Sequence, residues 1–199
     1  MHKRNVFLGV ALLCAAFVNG TACADAPAQA QVCAACHGPD GNSVNPIWPN
    51  LAGQNAGYLV QQIRNFKNGM RENASMAPMV AGLEDADITL VADYFAAQAP
   101  RIHPAAAEEV AAGEKLYRGG DAGRDIPACM ACHGPSGVGN AAANYPAVRG
   151  QHADYTVLQL KAYREGARTT DAQSMMRTVA ARLTDADMLT LARYLSALH

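Results

Sequence analysis

Residues 51–71 read LAGQNAGYLVQQIRNFKNGMR, and residues 148–168 read VRGQHADYTVLQLKAYREGAR. Both segments carry Gly-Gln at the third and fourth positions, and a tyrosine, a glutamine and a glycine recur further on at the same spacing. The pattern predicts a duplicated unit with equivalent helices over 55–68 and 154–165, each closed by a glycine. The apolar stripes of these helices are Tyr58, Leu59, Ile63 and Phe66 in the first copy and Tyr155, Leu158 and Tyr163 in the second.

The repeat continues toward the C-terminal end of each copy. Leu83 opens the segment LEDAD and Leu183 opens LTDAD, and a run with one apolar face follows each segment. We expect a final helix in both copies, with Thr184 as an N-cap residue and Asp187 completing a capping box. The apolar faces are Ile88, Val91, Ala92 and Phe95 in the first copy and Met188, Leu191, Ala192 and Leu195 in the second.

The duplication defines the expected domains. No segment alternates convincingly as a strand, so the sequence predicts an all-α fold of two small helical bundles. The first bundle is expected over residues 25–98 and the second over 108–199. A linker rich in proline and alanine, residues 99–107, joins them.

The first 24 residues have the layout of a secretory signal peptide. A basic start precedes an apolar run over 6–18, and the small residues around Cys23 provide a cleavage site before Asp25. The run is too short to span a bilayer, which disfavours a retained membrane anchor. A lipoprotein acylated at Cys14 or Cys23 is a weaker alternative, because the residues before each cysteine fit such a site poorly. The mature chain is therefore expected outside the cytoplasm.

Charge is sparse and unevenly distributed. Charged residues make up 17% of the chain and the net charge is −1, which argues against nucleic-acid binding. Residues 25–100 hold seven acids and three bases, whereas residues 101–199 hold ten acids and eleven bases. The halves differ by five charges, and we expect the resulting dipole to orient the molecule toward its partners.

Two Cys-x-x-Cys-His motifs, one in each copy, carry the chemistry. Two thiols at this spacing can bond the two vinyl groups of one haem, and the adjacent histidine then binds the iron. The sequence therefore predicts two covalently bound haem c groups. The motifs consist of Cys33, Cys36 and His37 and of Cys129, Cys132 and His133.

Three other uses of paired cysteines are weaker. A structural disulfide within each pair would not explain a histidine in the next position twice. A thioredoxin-like motif requires a βαβ setting, which the helical pattern does not offer. A zinc site would need the two pairs closer together than one per repeat.

Methionines are the best candidates for the sixth iron ligand. Met76 and Met176 both lie seven residues before the leucine of the LxDAD segment, so they occupy equivalent positions. Met79 and Met175 are nearby rivals without such equivalence. Ligation by histidine and methionine favours ferrous iron, and it leaves no open position for oxygen or peroxide. That argues against an enzyme acting at the iron.

Several matched residues are candidates for the surroundings of the haems. The carbonyl groups of Pro49 and Pro146, or neighbouring ones, would hold the second ring nitrogen of each histidine, or these prolines only shape the loop. Four matched residues would bond the haem propionates, or they tie loops or pack at helix N-termini: Gln54, Gln151, Tyr58 and Tyr155. Arg71 and Arg168 would pair with propionates, or they are solvated.

The chain resembles the cytochrome c4 family, di-haem periplasmic cytochromes built from two class I cytochrome c domains. The resemblance covers nearly all of the mature chain and is carried by CAACHGPDGNS, PNLAGQNAGYLVQQI, GEKLYRGG, PACMACHGPSGVGN, GQHADYTVLQLKAYREGARTTD and MRTVAARLTDADM. It implies two haems that face each other across the domain interface. It also implies His37 with Met76, and His133 with Met176, as the axial pairs.

The resemblance implies a role in electron transfer without catalysis. Members relay electrons in the bacterial periplasm, commonly from quinol-oxidising complexes toward a haem–copper terminal oxidase, and often associate loosely with the inner membrane. The alternative is the electron-accepting cytochrome subunit of a dehydrogenase, such as a sulfide-oxidising flavoprotein. A di-haem peroxidase ranks last, because both copies offer a methionine at the same place.

The two copies differ at their start. The second opens with a predicted helix over 105–118 that carries Gly113 and Tyr117, which in class I cytochromes crosses the last helix of the domain. The first copy has only residues 25–32 before its motif. We therefore expect either a short opening helix in the first domain or a cleavage site other than the one before Asp25. A short helix would leave the first haem less well covered.

Overall fold

The computed structural model describes residues 26–199, so the predicted signal peptide, residues 1–24, lies outside the described residues. Over the described range the chain is all-α, as predicted, with two isolated bridges and no strand. Short 3-10 turns occur at Ala122–Arg124 and Ala172–Ser174. The helices are α1 (Ala28–His37), α2 (Ala56–Lys67), α3 (Met76–Val80), α4 (Asp85–Ala96), α5 (Ala107–Gly119), α6 (Met130–His133), α7 (Ala153–Arg164), α8 (Met175–Ala180) and α9 (Asp185–Ala197).

Helices α1 to α4 form the first domain. Helix α4 buries its predicted face against α1 and α2, and Phe95 and Ala92 on that face are fully buried. Ala30 of α1 and Leu59 of α2 complete this small core. The short side chain at Ala30 fits the close packing of the two helices, because it adds little bulk between them.

Helices α5 to α9 form the second domain, and α5 crosses α9 as expected for its opening helix. The crossing requires a glycine at position 113. A Cβ atom there would overlap Tyr194 Cβ and would lie 2.6 Å from the Thr190 carbonyl oxygen. Tyr117, one turn further along α5, is fully buried, with its ring 5.4 Å from that of Tyr194.

The two domains reach their haem-binding motifs differently. In the first domain α1 runs through the motif and ends at His37. In the second domain α5 stops at Gly119, and a loop intervenes before α6 reaches His133. Ile126 of that loop is buried at the position that aligns with Ala30 of α1. The loop therefore supplies core contacts that the helix supplies in the first domain.

The final helices begin as the sequence predicts. Thr184 Oγ1 accepts a hydrogen bond from the Asp187 amide at 3.1 Å, and Asp187 Oδ2 accepts one from the Thr184 amide at 2.8 Å. In the first domain Glu84 takes the N-cap position of α4, and its amide donates to Asp87 Oδ2 at 3.1 Å. The capping box is thus present in both copies.

One predicted stripe residue is exposed. Leu158 of α7 is 52% exposed, whereas the prediction placed it on the core-facing stripe. The repeat aligns Leu158 with the exposed residue Gln61, and it aligns Leu160 with Ile63, which packs on the first core. Leu160 packs on the second core in the same way. The stripe prediction was therefore wrong at Leu158.

The domains meet through reciprocal glutamine contacts. Gln54 Nε2 donates to the Ala147 carbonyl oxygen at 2.8 Å, and Gln54 Oε1 accepts from the Ala147 amide at 2.8 Å. Gln151 repeats this with the amide and carbonyl of Asn50, at 2.9 and 3.0 Å. Each domain gives the other the same pair of bonds, so a pseudo-twofold axis relates the two halves. No helix in the described part of the chain is long and apolar enough to cross a membrane.

Candidate functional site

The first motif places a histidine with one ring nitrogen fixed. His37 is buried at the end of α1, and its Nδ1 lies 2.9 Å from the Pro49 carbonyl oxygen. A carbonyl only accepts, so Nδ1 carries the proton and Nε2 keeps its lone pair. Burial lowers the pKa of His37, which favours the same neutral form. That tautomer is the one that can bind a metal through Nε2.

The second motif has the same geometry. His133 is buried at the end of α6, and its Nδ1 lies 2.9 Å from the Pro146 carbonyl oxygen. Burial also lowers the pKa of His133. Both matched prolines therefore hold the motif histidine through their carbonyl groups, which decides between the two roles considered for them.

The four motif cysteines form no disulfide, and they differ in exposure. Cys36 of the first motif is exposed, whereas Cys132 at the equivalent position is half-buried. Burial raises the pKa of Cys33, and it raises the pKa of Cys129 to about 11. The thiols of the second motif are thus the more enclosed pair.

The structure separates the candidate methionines by burial. Met76 begins α3 and Met176 lies in the first turn of α8, and both side chains are half-buried. The rivals Met79 and Met175 are 52% and 37% exposed. Asn73 Oδ1 accepts from the Met76 amide at 2.9 Å and so fixes the start of α3. Burial favours Met76 and Met176, and their ligand role stays a prediction.

A cavity lies beside each methionine-bearing helix. The first has a volume of about 360 Å³ and reaches Cys33, with Val32 and Met79 exposed at its edge. The second, of about 530 Å³, is lined by Ile126 and Pro127 of the intervening loop and by Arg182. Each cavity is lined by both apolar and polar side chains, so the two cavities do not differ clearly in polarity.

Two matched arginines meet between the domains. Arg71 donates to Tyr155 Oη at 3.0 Å in the second domain, and Arg168 donates to Tyr58 Oη at 2.7 Å in the first. The guanidinium carbon of each lies 4.6 Å from the centroid of an aromatic ring in its own domain. These two arginines, with Gln62 and Gln159, form what we call the arginine–glutamine cluster. Neither arginine is a freely solvated side chain.

Some buried polar atoms test whether the residues present fit a haem group. Arg168 Nε, Asn65 Nδ2 and Thr170 Oγ1 are buried without a hydrogen-bond partner. Such groups are costly unless something satisfies them. Haem carries two propionate carboxylates, which are strong acceptors. One of these donors lies in the first domain and two lie in the second, so each domain offers a buried donor that fits a carboxylate acceptor.

Sequence reasoning missed part of this interface. Asn55 Nδ2 donates to the Tyr145 carbonyl oxygen at 2.7 Å, and His152 Nε2 donates to the Ser43 carbonyl oxygen at 2.9 Å. Asn55 and His152 are equivalent in the repeat. The signal was available, because two different polar residues at one matched position both provide a donor.

The fold and the two motifs together define a class of protein. Two helical domains, each with a Cys-x-x-Cys-His motif whose histidine is fixed through Nδ1, define a two-domain cytochrome c. The family model for cytochrome c matches residues 24–98 and 110–199. The all-helical fold and the duplicated domain agree with that match.

The relatives narrow the family further. Cytochrome c4 of Azotobacter vinelandii is 44% identical over 181 residues, which cover 86% of each chain. The crystal structure of reduced recombinant cytochrome c4 from Pseudomonas stutzeri superposes with a TM-score of 0.83 at 42% identity, covering 88% of this chain and 99% of that one. A thiosulfate dehydrogenase electron acceptor of Thiomonas intermedia (strain K12) is 42% identical over 196 residues, 96% of this chain and 89% of the relative.

The chain belongs to the cytochrome c4 family. It is a di-haem electron-transfer protein with two covalently bound haem c groups, and it is an electron carrier and not an enzyme.

Proposed function

We propose that this protein relays electrons in the bacterial periplasm from a quinol-oxidising complex to a haem–copper terminal oxidase. The carrying observation is that each repeat fixes a buried histidine through Nδ1, which leaves Nε2 as the ligand atom, and carries a half-buried methionine at a matched position. Haem, when bound, supplies reversible one-electron chemistry at iron. The protein's contribution would be to hold the iron between a histidine Nε2 and a methionine, which would leave no position for water or peroxide.

The residue assignments follow from the repeat. Cys33 and Cys36 attach one haem, and Cys129 and Cys132 attach the other. His37 with Met76, and His133 with Met176, are the axial pairs. The hydrogen bonds of the two histidines to proline carbonyls support the assignment, because they present Nε2 as the ligand atom.

Methionine substitutions test the axial pairs. Met76→Ala and Met176→Ala should each remove one of two contributions to the methionine–iron charge-transfer band of the ferric protein. Met79→Ala and Met175→Ala are matched controls on the same helices and should leave the band intact. A loss of the band in either control variant would reassign that ligand.

The location rests on the signal-peptide pattern of residues 1–24. Fractionation of cells expressing the full chain should recover the haem-stained protein in the periplasmic fraction, with an N-terminus near Asp25. Recovery in the membrane fraction that salt washing reverses would indicate the loose association expected of the family. Recovery in the cytoplasm would contradict the location.

A dehydrogenase is the second candidate for the electron donor. The thiosulfate dehydrogenase electron acceptor of Thiomonas intermedia covers 96% of this chain at 42% identity, about as similar as the cytochromes c4. The observation extends the alternative of a dehydrogenase subunit from sulfide-oxidising flavoproteins to thiosulfate oxidation.

Rapid-mixing kinetics distinguish the two candidate electron donors. The oxidised protein would be mixed anaerobically with a quinol-oxidising complex plus quinol, or with a thiosulfate dehydrogenase plus thiosulfate. The proposal expects faster reduction by the first pair, followed by re-oxidation on addition of a haem–copper oxidase. Faster reduction by the second pair would assign the protein to thiosulfate oxidation instead.

A further inference from the structure

The segment that leads into each proposed methionine ligand differs between the two copies. Four residues separate Arg71 from Met76, whereas seven separate Arg168 from Met176. The second segment is therefore three residues longer, although both segments connect equivalent helices, α2 to α3 and α7 to α8. The additional residues must turn back on themselves before the chain reaches Met176.

The longer segment contains strained backbone. Gln173 has a φ of 51° and Ser174 a φ of 58°, so two successive residues with side chains lie in the left-handed region. That region costs free energy for a residue with a Cβ atom, and such a conformation persists only where surrounding contacts hold it. None of residues 72–75, the described counterpart in the first domain, has a positive φ.

One aspartate provides contacts that hold this segment. Asp171 Oδ2 accepts a hydrogen bond from the Arg177 amide at 3.0 Å, and Asp171 Oδ1 accepts one from Arg177 Nε at 2.8 Å. The Asp171 carbonyl oxygen accepts a third bond, from the Ser174 amide at 3.3 Å. The Asp171 side chain is only 4% exposed, so water competes little for its bonds. Asp171 therefore closes the strained segment and fixes the residue directly after Met176.

The first domain fixes its methionine helix with a neutral side chain. Asn73 Oδ1 accepts from the Ser75 amide at 3.0 Å and from the Met76 amide at 2.9 Å. Asn73 is exposed, whereas the Asp171 carboxylate is buried and charged. A charge-assisted hydrogen bond is about twice as strong as one between neutral groups. The start of α8 therefore depends on one buried carboxylate in a way that the start of α3 does not.

We infer that Asp171 is a positioning residue for Met176, and that its ion pair with Arg177 keeps this methionine on the iron of the second haem. This inference rests on the proposed assignment of Met176 as an axial ligand. Without the Asp171 carboxylate, residues 172–174 are free to relax to ordinary backbone conformations, so Met176 spends less time in its binding position. An external ligand such as imidazole then binds the ferric haem more tightly, because the methionine competes less well.

Substitutions in both domains of the haem-loaded protein test the inference. Asp171→Ala removes both side-chain bonds, whereas Asp171→Asn keeps an acceptor and removes the charge. Asn73→Ala is the counterpart in the first domain. The matched control is Asp185→Ala, which removes an exposed aspartate of the second domain that pairs with Arg164 at 2.7 Å. Imidazole titration of the ferric protein measures the affinity of each haem, and proton NMR of the reduced protein resolves the methyl signal of each ligand methionine.

We expect Asp171→Ala to raise the imidazole affinity of one haem about tenfold, the change that loss of a hydrogen bond to a charged group produces. The methyl signal that Met176→Ala removes should broaden or disappear in this variant, and the signal of Met76 should stay. Asp171→Asn should raise the affinity less. Asn73→Ala should act on the signal of Met76 instead, and Asp185→Ala should leave both signals and both affinities unchanged.

Two results would overturn the inference. Unchanged imidazole affinity in Asp171→Ala with a lower free energy of unfolding would mean that Asp171 only stabilises the loop, and equal rises at both haems would show that the effect is not local. If Asp171→Ala fails to fold, Arg177→Gln provides the test, because it removes only the Nε bond and should raise the affinity of the same haem. Met176→Ala tests the ligand assignment separately, since an unchanged charge-transfer band in that variant would exclude Met176 as a ligand whatever Asp171 does.

Discussion

The two domains have equivalent helices but cover their Cys-x-x-Cys-His motifs with different segments. In the first domain a single ten-residue helix, α1, both opens the domain and carries the motif. In the second, α5 opens the domain, and a loop places Ile126 where α1 places Ala30. The comparison shows that one helical scaffold can hold equivalent histidines while its covering segment varies in length. It also confirms the expectation that the first opening helix is short.

The difference changes the surface beside each motif. Cys36 is exposed and its counterpart Cys132 is half-buried, and the first cavity has Val32 and Met79 exposed at its rim. Arg182 lines the cavity of the second domain. The net charge is −4 over residues 25–100 and +1 over residues 101–199. A partner would therefore meet a more acidic surface on the first domain.

The helix crossing at Gly113 gives the largest expected difference between the domains. Gly113→Ala places a Cβ atom against Tyr194 and the Thr190 carbonyl, so α5 must move off α9. We expect a loss of about 3 kcal/mol in the free energy of unfolding of the second domain. Denaturant titration followed at each haem would show the first domain nearly unaffected. Gly82→Ala, where an added Cβ meets nothing within 4 Å, is the control.

A pair of tyrosines gives the next largest effect. Tyr117 is fully buried, and its hydroxyl donates to the Gly134 carbonyl oxygen at 2.6 Å. Tyr94 makes a similar bond to the Pro39 carbonyl oxygen at 2.8 Å but is only half-buried. Tyr117→Phe should cost about 1.5 kcal/mol, because it removes a hydrogen bond made by a fully buried side chain, and Tyr94→Phe about 0.5 kcal/mol or less. The Gly134 carbonyl keeps the Gly137 amide as a second donor, at 3.2 Å. Equal losses would contradict the view that the second motif is more enclosed.

The helix caps give a smaller contrast. Thr184→Ala removes the side-chain acceptor of the α9 capping box and should lower the free energy of unfolding by about 1 kcal/mol. Glu84 is a poorer N-cap residue than threonine, so Glu84→Ala in the first domain should cost less. Glu84→Thr should stabilise α4. The unfolding temperatures of the three variants test this ranking of stability changes. A Glu84→Thr variant less stable than wild type would contradict it.

The smallest expected effect depends on pH and concerns the connection between the domains. His103 stacks on His152 with ring centroids 5.0 Å apart, and burial, together with His152 and Arg101, lowers the pKa of His103. A base with a lower pKa in the folded chain binds its proton more weakly there, so stability falls as pH drops below the ordinary histidine pKa of about 6.5.

The measurement is the unfolding midpoint between about pH 7.5 and about pH 5.5, on either side of that ordinary value. The wild-type midpoint should fall over this range, and His103→Gln should fall less. The motif histidines also have lowered pKa values, but as proposed iron ligands they are present unchanged in both proteins. An identical pH dependence in the variant would remove His103 from the explanation.

The features predicted best from the sequence are local ones. Caps, helix ends and apolar faces depend on residues within one or two turns, so Thr184 with Asp187 and the faces around Phe95 and Leu195 appear as predicted. The role of the two proline carbonyls could also be predicted, because each copy has a proline at nearly the same sequence spacing after the motif histidine.

The features that sequence reasoning missed depend on how the domains meet. Nothing local shows that Gln62 and Gln159 each bind two arginines, because the second arginine comes from the other copy. The periodicity of α7 likewise could not place Leu158, since a helix in a small bundle can direct an apolar residue to solvent. Alignment with the exposed residue Gln61 was the better guide to its position.

The reciprocal bonds of Gln54 and Gln151 have the symmetry of a homodimer interface, in which both partners present the same patch. Here the two patches lie on one polypeptide, joined between α4 and α5 by a short connection. Association is then intramolecular, at an effective concentration of the order of millimolar. A set of polar contacts too weak to hold separate molecules together at cellular concentrations can therefore keep two redox centres paired for the lifetime of the chain.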